Sequence, residues 1–264
     1  MTEPLLYRVD DGLARITLNR PQRLNAFNAE LAEAWAEATA AATHDTAVGA
    51  ILVEGTGRAF CAGGDVIDMA TTMGGAGEDI ERLAKLIHSG IAALVDAAVP
   101  VVAAAHGTTA GGGLGILLAS DYAVIGSDSS IGSRYANVGL TPDLSVSAQL
   151  AVAVGERRAL QLLLTDRMLS AEEAVAWGIA AESVGSGDAE ANAAAVRERA
   201  EQVARFWLAG AYRAYGQAKR LVRSRPSRSF HGQLDEEART IAAAFAGGEA
   251  QELIAAFAAK SRGR

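Results

Sequence analysis

Cysteine is nearly absent from this chain of 264 residues. The single Cys61 excludes an internal disulfide and any cysteine cluster for zinc. Basic residues are in deficit, with 24 Lys and Arg against 31 Asp and Glu, a formal net charge of −7. That balance argues against nucleic acid or an anionic membrane as the main partner, since both demand a basic face. It still allows an anionic small ligand, which needs only a few local cations. Aromatic residues make up 5% of the chain, little material for an aryl-lined pocket. No apolar run reaches the ~18 residues of a membrane span, because Asp, Arg or Gly interrupts each one. The opening Met-Thr-Glu-Pro carries no basic leader segment, and with the lone cysteine it predicts a cytoplasmic protein. His44, His88, His106 and His231 lack metal-ligand spacing and no HExxH occurs, so no metal site is expected.

What is present is apolar material: half of the residues are hydrophobic. At roughly 100–200 residues per domain, the length allows one large domain or one plus an appendage. Leu13–Leu18 alternates as a half-buried strand does, and Asn19–Arg23 with Pro21 is a turn. Asn28 is an N-cap for a helix through about Ala42. Gly49–Glu54 and Val101–Ala105 read as buried strands, Asp121–Ile125 as a third, and Arg58–Asp65 as a compact loop. Thr71–Gly77 has no periodicity and is expected to be a mobile loop. A helix follows to about Ala98, with Ile80, Leu83, Ala84, Ile87, Ile91, Leu94 and Val95 as its buried stripe. The unit is strand, glycine loop, helix, strand. From Ser145 on, helices are predicted over 145–154, 156–165, 171–177, 190–208, 211–223, 229–246 and 249–260, with one strand near 181–184. The class is α/β, with residues 1–200 as the core and 201–264 as a helical region.

Two glycine loops carry the chemistry: Ala59-Phe-Cys-Ala-Gly-Gly-Asp65 and Ala110-Gly-Gly-Gly-Leu-Gly115. Glycine lets a ligand approach the backbone closely, and N–H groups at a helix start lack partners. Two such loops face to face offer two donors to one oxygen, an oxyanion hole for a carbonyl becoming an enolate or tetrahedral adduct. Tight packing alone is the competing explanation. Neither G-x-G-x-x-G nor G-x-x-x-x-G-K-[ST] is present, which removes the common nucleotide motifs.

Phe60-Cys-Ala-Gly-Gly-Asp65, Pro100-Val-Val-Ala-Ala-Ala-His-Gly107 and Ala110–Gly115 together resemble the enoyl-CoA hydratase/isomerase (crotonase) superfamily. Leu18-Asn-Arg-Pro21, Asn25-Ala26, Leu169–Ala174 and Trp177-Gly178 extend the resemblance over residues 5 to 260. It implies a spiral of ββα units with a C-terminal helical region that forms homotrimers or homohexamers. It implies an acyl-CoA thioester as partner, with no cofactor beyond the coenzyme A of the substrate. The N–H groups of Gly64 and Gly112 would hold the thioester oxygen. Ala26, Ala62 and the stretch Asp65, Val66, Ile67 would lie along the CoA. Ile67 stands where a lysine is frequent, with Arg23 or Arg58 as the substitute cation. Phe257 and Lys260 resemble a C-terminal pair that reaches the CoA, often across a subunit interface.

The superfamily's hydratases carry two glutamates, and the resemblance places Gly115 and Tyr135 in those positions. Asp143, in Gly139-Leu-Thr-Pro-Asp143, resembles the aspartate of enoyl-CoA isomerases and the nucleophile of 4-chlorobenzoyl-CoA dehalogenases. On the residues alone, it reads first as a turn residue or an N-cap for the helix near Ser145. The resemblance moves the reading to a proton shuttle, with Tyr135 donating a hydrogen bond to its carboxylate. His88 lies beside an apolar stripe, where a packed residue is the ordinary reading, but dehalogenases have a water-activating histidine there. His106 and Cys61 read as structural. Four functions therefore stand: isomerase, aryl-CoA dehalogenase-like enzyme, residual hydratase, and a CoA-ester binding protein without chemistry.

Overall fold

The computed structural model describes residues 3–72 and 77–262. Strand β1 (Leu5–Asp10) turns through Asp11 and Gly12, both left-handed, into antiparallel β2 (Leu13–Leu18). Helix α1 (Ala29–His44) starts at Asn28, whose side chain accepts from the Leu31 N–H. The chain then repeats one unit: a longer strand, a three-residue strand, a helix. The first unit is β3 (Ala50–Gly55), β4 (Ala59–Cys61), α2 (Val66–Thr72) and α3 (Gly77–Asp96). The second is β5 (Val101–Ala105), β6 (Thr108–Ala110) and α4 (Gly112–Ala119). The third is β7 (Tyr122–Gly126), β8 (Ser130–Gly132) and α5 (Val146–Val154). Then follow α6 (Glu156–Leu163), β9 (Met168–Ser170), α7 (Ala171–Trp177) and β10 (Glu182–Val184). Four helices close the chain: α8 (Ala189–Ala209), α9 (Tyr212–Arg223), α10 (Phe230–Ala246) and α11 (Gly248–Arg262).

The longer strands form one sheet in the order β1-β2-β3-β5-β7-β10, parallel except for β1. The short strands form a second sheet, β4-β6-β8-β9. The large sheet is covered on both faces, which explains its nearly continuous apolar strands. Leu52, Val102, Ala104 and Val124 face Val196, Ala200, Val203 and Ala204 of α8. Ile51, Val53, Val101, Ala103 and Ile125 face the main core with α1, α3 and α4.

Three expectations need correction. The compact loop 58–65 and the glycine loop after His106 each contain a strand, β4 and β6, so the unit is ββα, as the resemblance implied. The stretch 71–77 is mostly not a loop: Thr71 and Thr72 end α2, Gly77 opens α3, and residues 73–76 lie outside the described residues. A boundary at residue 200 cuts through α8, which packs under the large sheet with Val203 and Ala204 buried. The helices beyond it begin with α9, which still docks on the core: Gly216 lies against the Ala98 carbonyl and buried Lys219 pairs with Asp121 at 3.2 Å.

Helices α10 and α11 leave Ile241, Phe245, Leu253, Ile254 and Phe257 half or more exposed. Among the described residues, no helix is long and apolar enough to cross a membrane.

Candidate active site

Strands β4 and β6 are parallel neighbours, with Cys61 opposite Thr109. Parallel neighbours end at the same edge, so the two glycine loops that follow them meet there. Gly63 has φ +103°, and a Cβ built on it would stand 3.0 Å from the Gly112 nitrogen. Gly111, at φ +52°, turns the chain into α4. Neither the Gly64 nor the Gly112 N–H is bonded to a backbone carbonyl among the described residues. The geometry therefore leaves two donors free on facing loops, one at the positive end of a buried helix.

The loops open into a cavity of about 590 Å³ lined by Ala62, Gly64, Val66 and Gly111 on this side. Its opposite wall is α3, through Ile80, Leu83, Ala84, Ile87 and His88. Helix α3 is fixed against α1 at Gly90, where a Cβ would lie 2.2 Å from Trp35 Nε1. The Trp35 indole N–H donates to the Ile87 carbonyl at 3.2 Å. That contact sets the rotation of α3, which turns His88 to the cavity.

The third wall is the segment 134–144. Here the two residues singled out from the sequence meet: His88 Nε2 lies 2.7 Å from Asp143 Oδ1, across 55 residues of chain. With the carboxylate ionised, the imidazole N–H is the donor. Asp143 does not cap α5. Its carbonyl accepts the Val146 N–H at 3.1 Å, and the N-cap position is Ser145, at φ +68° without a side-chain cap. The Tyr135 hydroxyl donates to that same Asp143 carbonyl at 3.1 Å, not to the carboxylate, which corrects the expected contact. Burial first, then the Asp143 charge, pushes the Tyr135 phenol above its ordinary range, so it stays a protonated donor. Glu81, another carboxylate of the lining, is exposed and ion-paired with Lys85 at the rim.

Other expected residues serve as scaffold. The Asp65 carboxylate is buried, 3.0 Å from Arg20 Nη2, and Oδ1 accepts the Asp68 N–H at the start of α2. The Asp65 backbone is engaged as well, the N–H donating to the Phe27 carbonyl and the carbonyl accepting the Met69 N–H, and Asp65 lies outside the cavity lining, so the expected place along the ligand is corrected to a scaffold role. Arg23 Nε stands 3.9 Å from the same carboxylate and outside the cavity lining. Ala26 is buried behind the loop, with its carbonyl held by Arg20. Ile67 is exposed and, like Arg58, lies outside the lining. Phe257 and Lys260 lie exposed on α11 and do not reach the cavity within one chain. The Cys61 thiol is fully buried, donates to the Asn25 carbonyl, and burial pushes it up to about 12, so it is no nucleophile. Among the described residues, no three metal-ligating side chains cluster.

Two residues have structural roles that the sequence reading did not assign them. Asn25 holds a left-handed turn (φ +56°) by donating to the Thr56 and Ala59 carbonyls and accepting the Arg20 N–H. Leu144, also left-handed at φ +49°, packs onto the glycine face of α4. Asn-Ala in the first case was a legible signal; a leucine after Asp143 was not.

Comparison with known proteins adds the family. The family model for enoyl-CoA hydratase/isomerase matches residues 8–263. A 1,2-epoxyphenylacetyl-CoA isomerase from Escherichia coli is 30% identical over 98% of this chain and 97% of its own. A 4-chlorobenzoyl coenzyme A dehalogenase from Arthrobacter is 31% identical, over 95% and 88%. Among solved structures, an enoyl-CoA hydratase from Polaromonas superposes with a TM-score of 0.88, at 27% identity over 97% of both chains. The ββα spiral, the facing glycine loops and these matches agree: the chain belongs to the enoyl-CoA hydratase/isomerase (crotonase) superfamily of enzymes acting on CoA thioesters.

Proposed function

We propose that the protein is an acyl-CoA double-bond isomerase with Asp143 as the proton carrier. The thioester oxygen accepts from the Gly64 and Gly112 N–H groups, which lowers the cost of forming an enolate beside it. Asp143 takes a proton from the α carbon of a 3-enoyl thioester and returns it at the γ carbon, leaving the 2-enoyl isomer. One carboxylate suffices, because the same group that accepts the proton gives it back. Tyr135 steadies the Asp143 backbone and His88 the carboxylate.

The observation that carries this reading is the carboxylate inventory. Asp143 lines the cavity beside His88, while Gly115 and Tyr135 stand where hydratases of the superfamily have glutamates. Water addition needs one group to activate water and another to deliver a proton. Replacing Asp143 by Asn keeps size and removes basicity, so isomerisation of a 3-enoyl-CoA should fall by ~10² or more with thioester binding kept. Unchanged isomerisation in Asp143→Asn would remove the assignment.

The contact between His88 and Asp143 also supports a second reading, aryl-CoA dehalogenation with Asp143 as nucleophile and His88 activating water. Halide release from 4-chlorobenzoyl-CoA, with a covalent aspartyl adduct, would favour it. Against it, Phe27 and Tyr135 are the only aromatic residues of the lining among the described residues. In either reading coenzyme A is part of the substrate and no further cofactor takes part. We further propose a cytoplasmic homotrimer or homohexamer, in which the exposed apolar residues of α10 and α11 pack on a second copy and Phe257 and Lys260 approach its CoA.

A further inference from the structure

We propose that Gly115 is the positioning residue for Asp143, an inference that rests on the reading of Asp143 as proton carrier. Gly112 and Gly115, three apart on α4, share one helix face, and both are buried. Leu144 lies in the groove that they leave. A Cβ at Gly112 would stand 2.3 Å from Leu144 Cδ1, and one at Gly115 only 1.8 Å from the Leu144 carbonyl oxygen. Gly113 serves a different neighbour, the Cys61 carbonyl at 2.1 Å. The seat at Gly115 is thus specific to the turn that carries Asp143.

That turn is strained: Leu144 and Ser145 are both left-handed, at φ +49° and +68°. Leucine adopts this conformation only when its surroundings hold it there. Three contacts do so here: the Gly115 seat, the buried Leu144 side chain, and the Tyr135 hydroxyl on the Asp143 carbonyl. Real Cβ atoms essentially never come closer than 3.0 Å to another heavy atom. Any side chain at 115 therefore moves the Leu144 carbonyl by about 1 Å, a displacement that costs on the order of 10² in rate when it reaches a reacting group. In this chain a side chain at 115 and Asp143 in its observed seat therefore compete for one space.

The test is a double-mutant cycle of wild type, Gly115→Ala, Asp143→Asn and the double variant, assayed for isomerisation of a 3-enoyl-CoA. Gly115→Ala should lose ~10² in kcat with KM within about threefold, and should add no loss in the Asp143→Asn background. A packing role alone would multiply the two losses, and that result, or a Gly115→Ala enzyme at the wild-type rate, would overturn the proposal. If Asp143→Asn alone isomerises normally, the proton-carrier reading has failed, and the seat then has nothing to position. Should Gly115→Ala not fold, a wild-type crystal structure decides. The Leu144 carbonyl within about 4 Å of the Gly115 Cα supports the seat, and a more distant carbonyl overturns it.

Discussion

Asp65 holds the first glycine loop from beneath, and its removal should cost the protein far more than an ordinary ion pair. Its side chain is 5% exposed and that of Arg20 12%, with 3.0 Å between them. In Asp65→Ala the Arg20 guanidinium keeps the Ala26 carbonyl but loses its counter-charge. Breaking a buried pair from one side costs about 3–5 kcal/mol, because a buried charge is left uncompensated. The lost bond to the Asp68 N–H, at 3.2 Å, adds up to about 1 kcal/mol of capping, without strict additivity. At roughly 2–4 °C per kcal/mol for a chain of this size, the melting temperature should drop by about 10 °C. The control is Arg82→Ala. Its pair with Asp79 has side chains 76% and 37% exposed, so the expected change is within about 0.5 kcal/mol. Both variants are melted at one protein concentration, since subunit association shifts the midpoint. Gly64 adjoins Asp65, so Asp65→Ala should also lose turnover at temperatures where it remains folded. An Asp65→Ala protein that melts within a degree or two of Arg82→Ala would refute the scaffold argument.

Buried His106 donates from Nε2 to the Gly57 carbonyl at 2.7 Å, and its Nδ1 has no partner among the described residues. Burial lowers its pKa below the ordinary 6.5; the Gly57 bond, Asp128 and Glu54 oppose the shift, and Arg197 adds to it. The unfolded chain therefore binds the extra proton first, so this contribution is complete above about pH 6.5 and is lost as pH falls below it. His106→Gln keeps a donor without titrating, and should flatten the acid limb of stability against pH in urea unfolding; an unchanged limb would show that His106 is not its source. For assembly, light scattering should give three or six times the 27.2 kDa chain mass, and Lys260→Ala should weaken CoA-ester binding. A single 27.2 kDa species would end the interface reading of α10 and α11.

The sequence carried the long elements because their patterns are long. The stripe on α3, the Asn28 cap and the apolar runs of β3 and β5 each extend over enough residues to show a period. Strands β4, β6, β8 and β9 have three residues apiece, too few for any alternation to register, so the second sheet came only with the family resemblance. Strand β1 is an edge strand with Leu5 alone buried, which blurs its pattern although Asp11-Gly12 marks the hairpin. At the site, the glycine loops were legible as motifs. The pairing of His88 with Asp143 was not, since it depends on how α1 rotates α3 and on where the strained turn after Asp143 docks. The family resemblance puts Asp65 along the CoA together with its neighbours, whereas its side chain turns to Arg20. Nothing in the local spacing shows that reversal.

The central claim is that a single carboxylate moves a proton along the acyl chain without adding water. The most direct measurement follows a 3-enoyl-CoA by NMR in D2O, with wild-type enzyme and Asp143→Asn side by side. The account predicts that wild type yields the 2-enoyl-CoA, with the proton from the α carbon or solvent deuterium at the γ carbon and no 3-hydroxyacyl-CoA, and that the variant loses this transfer by ~10² or more. A 3-hydroxyacyl-CoA as the main product, or tight binding of the thioester with no proton moved at all, would contradict it.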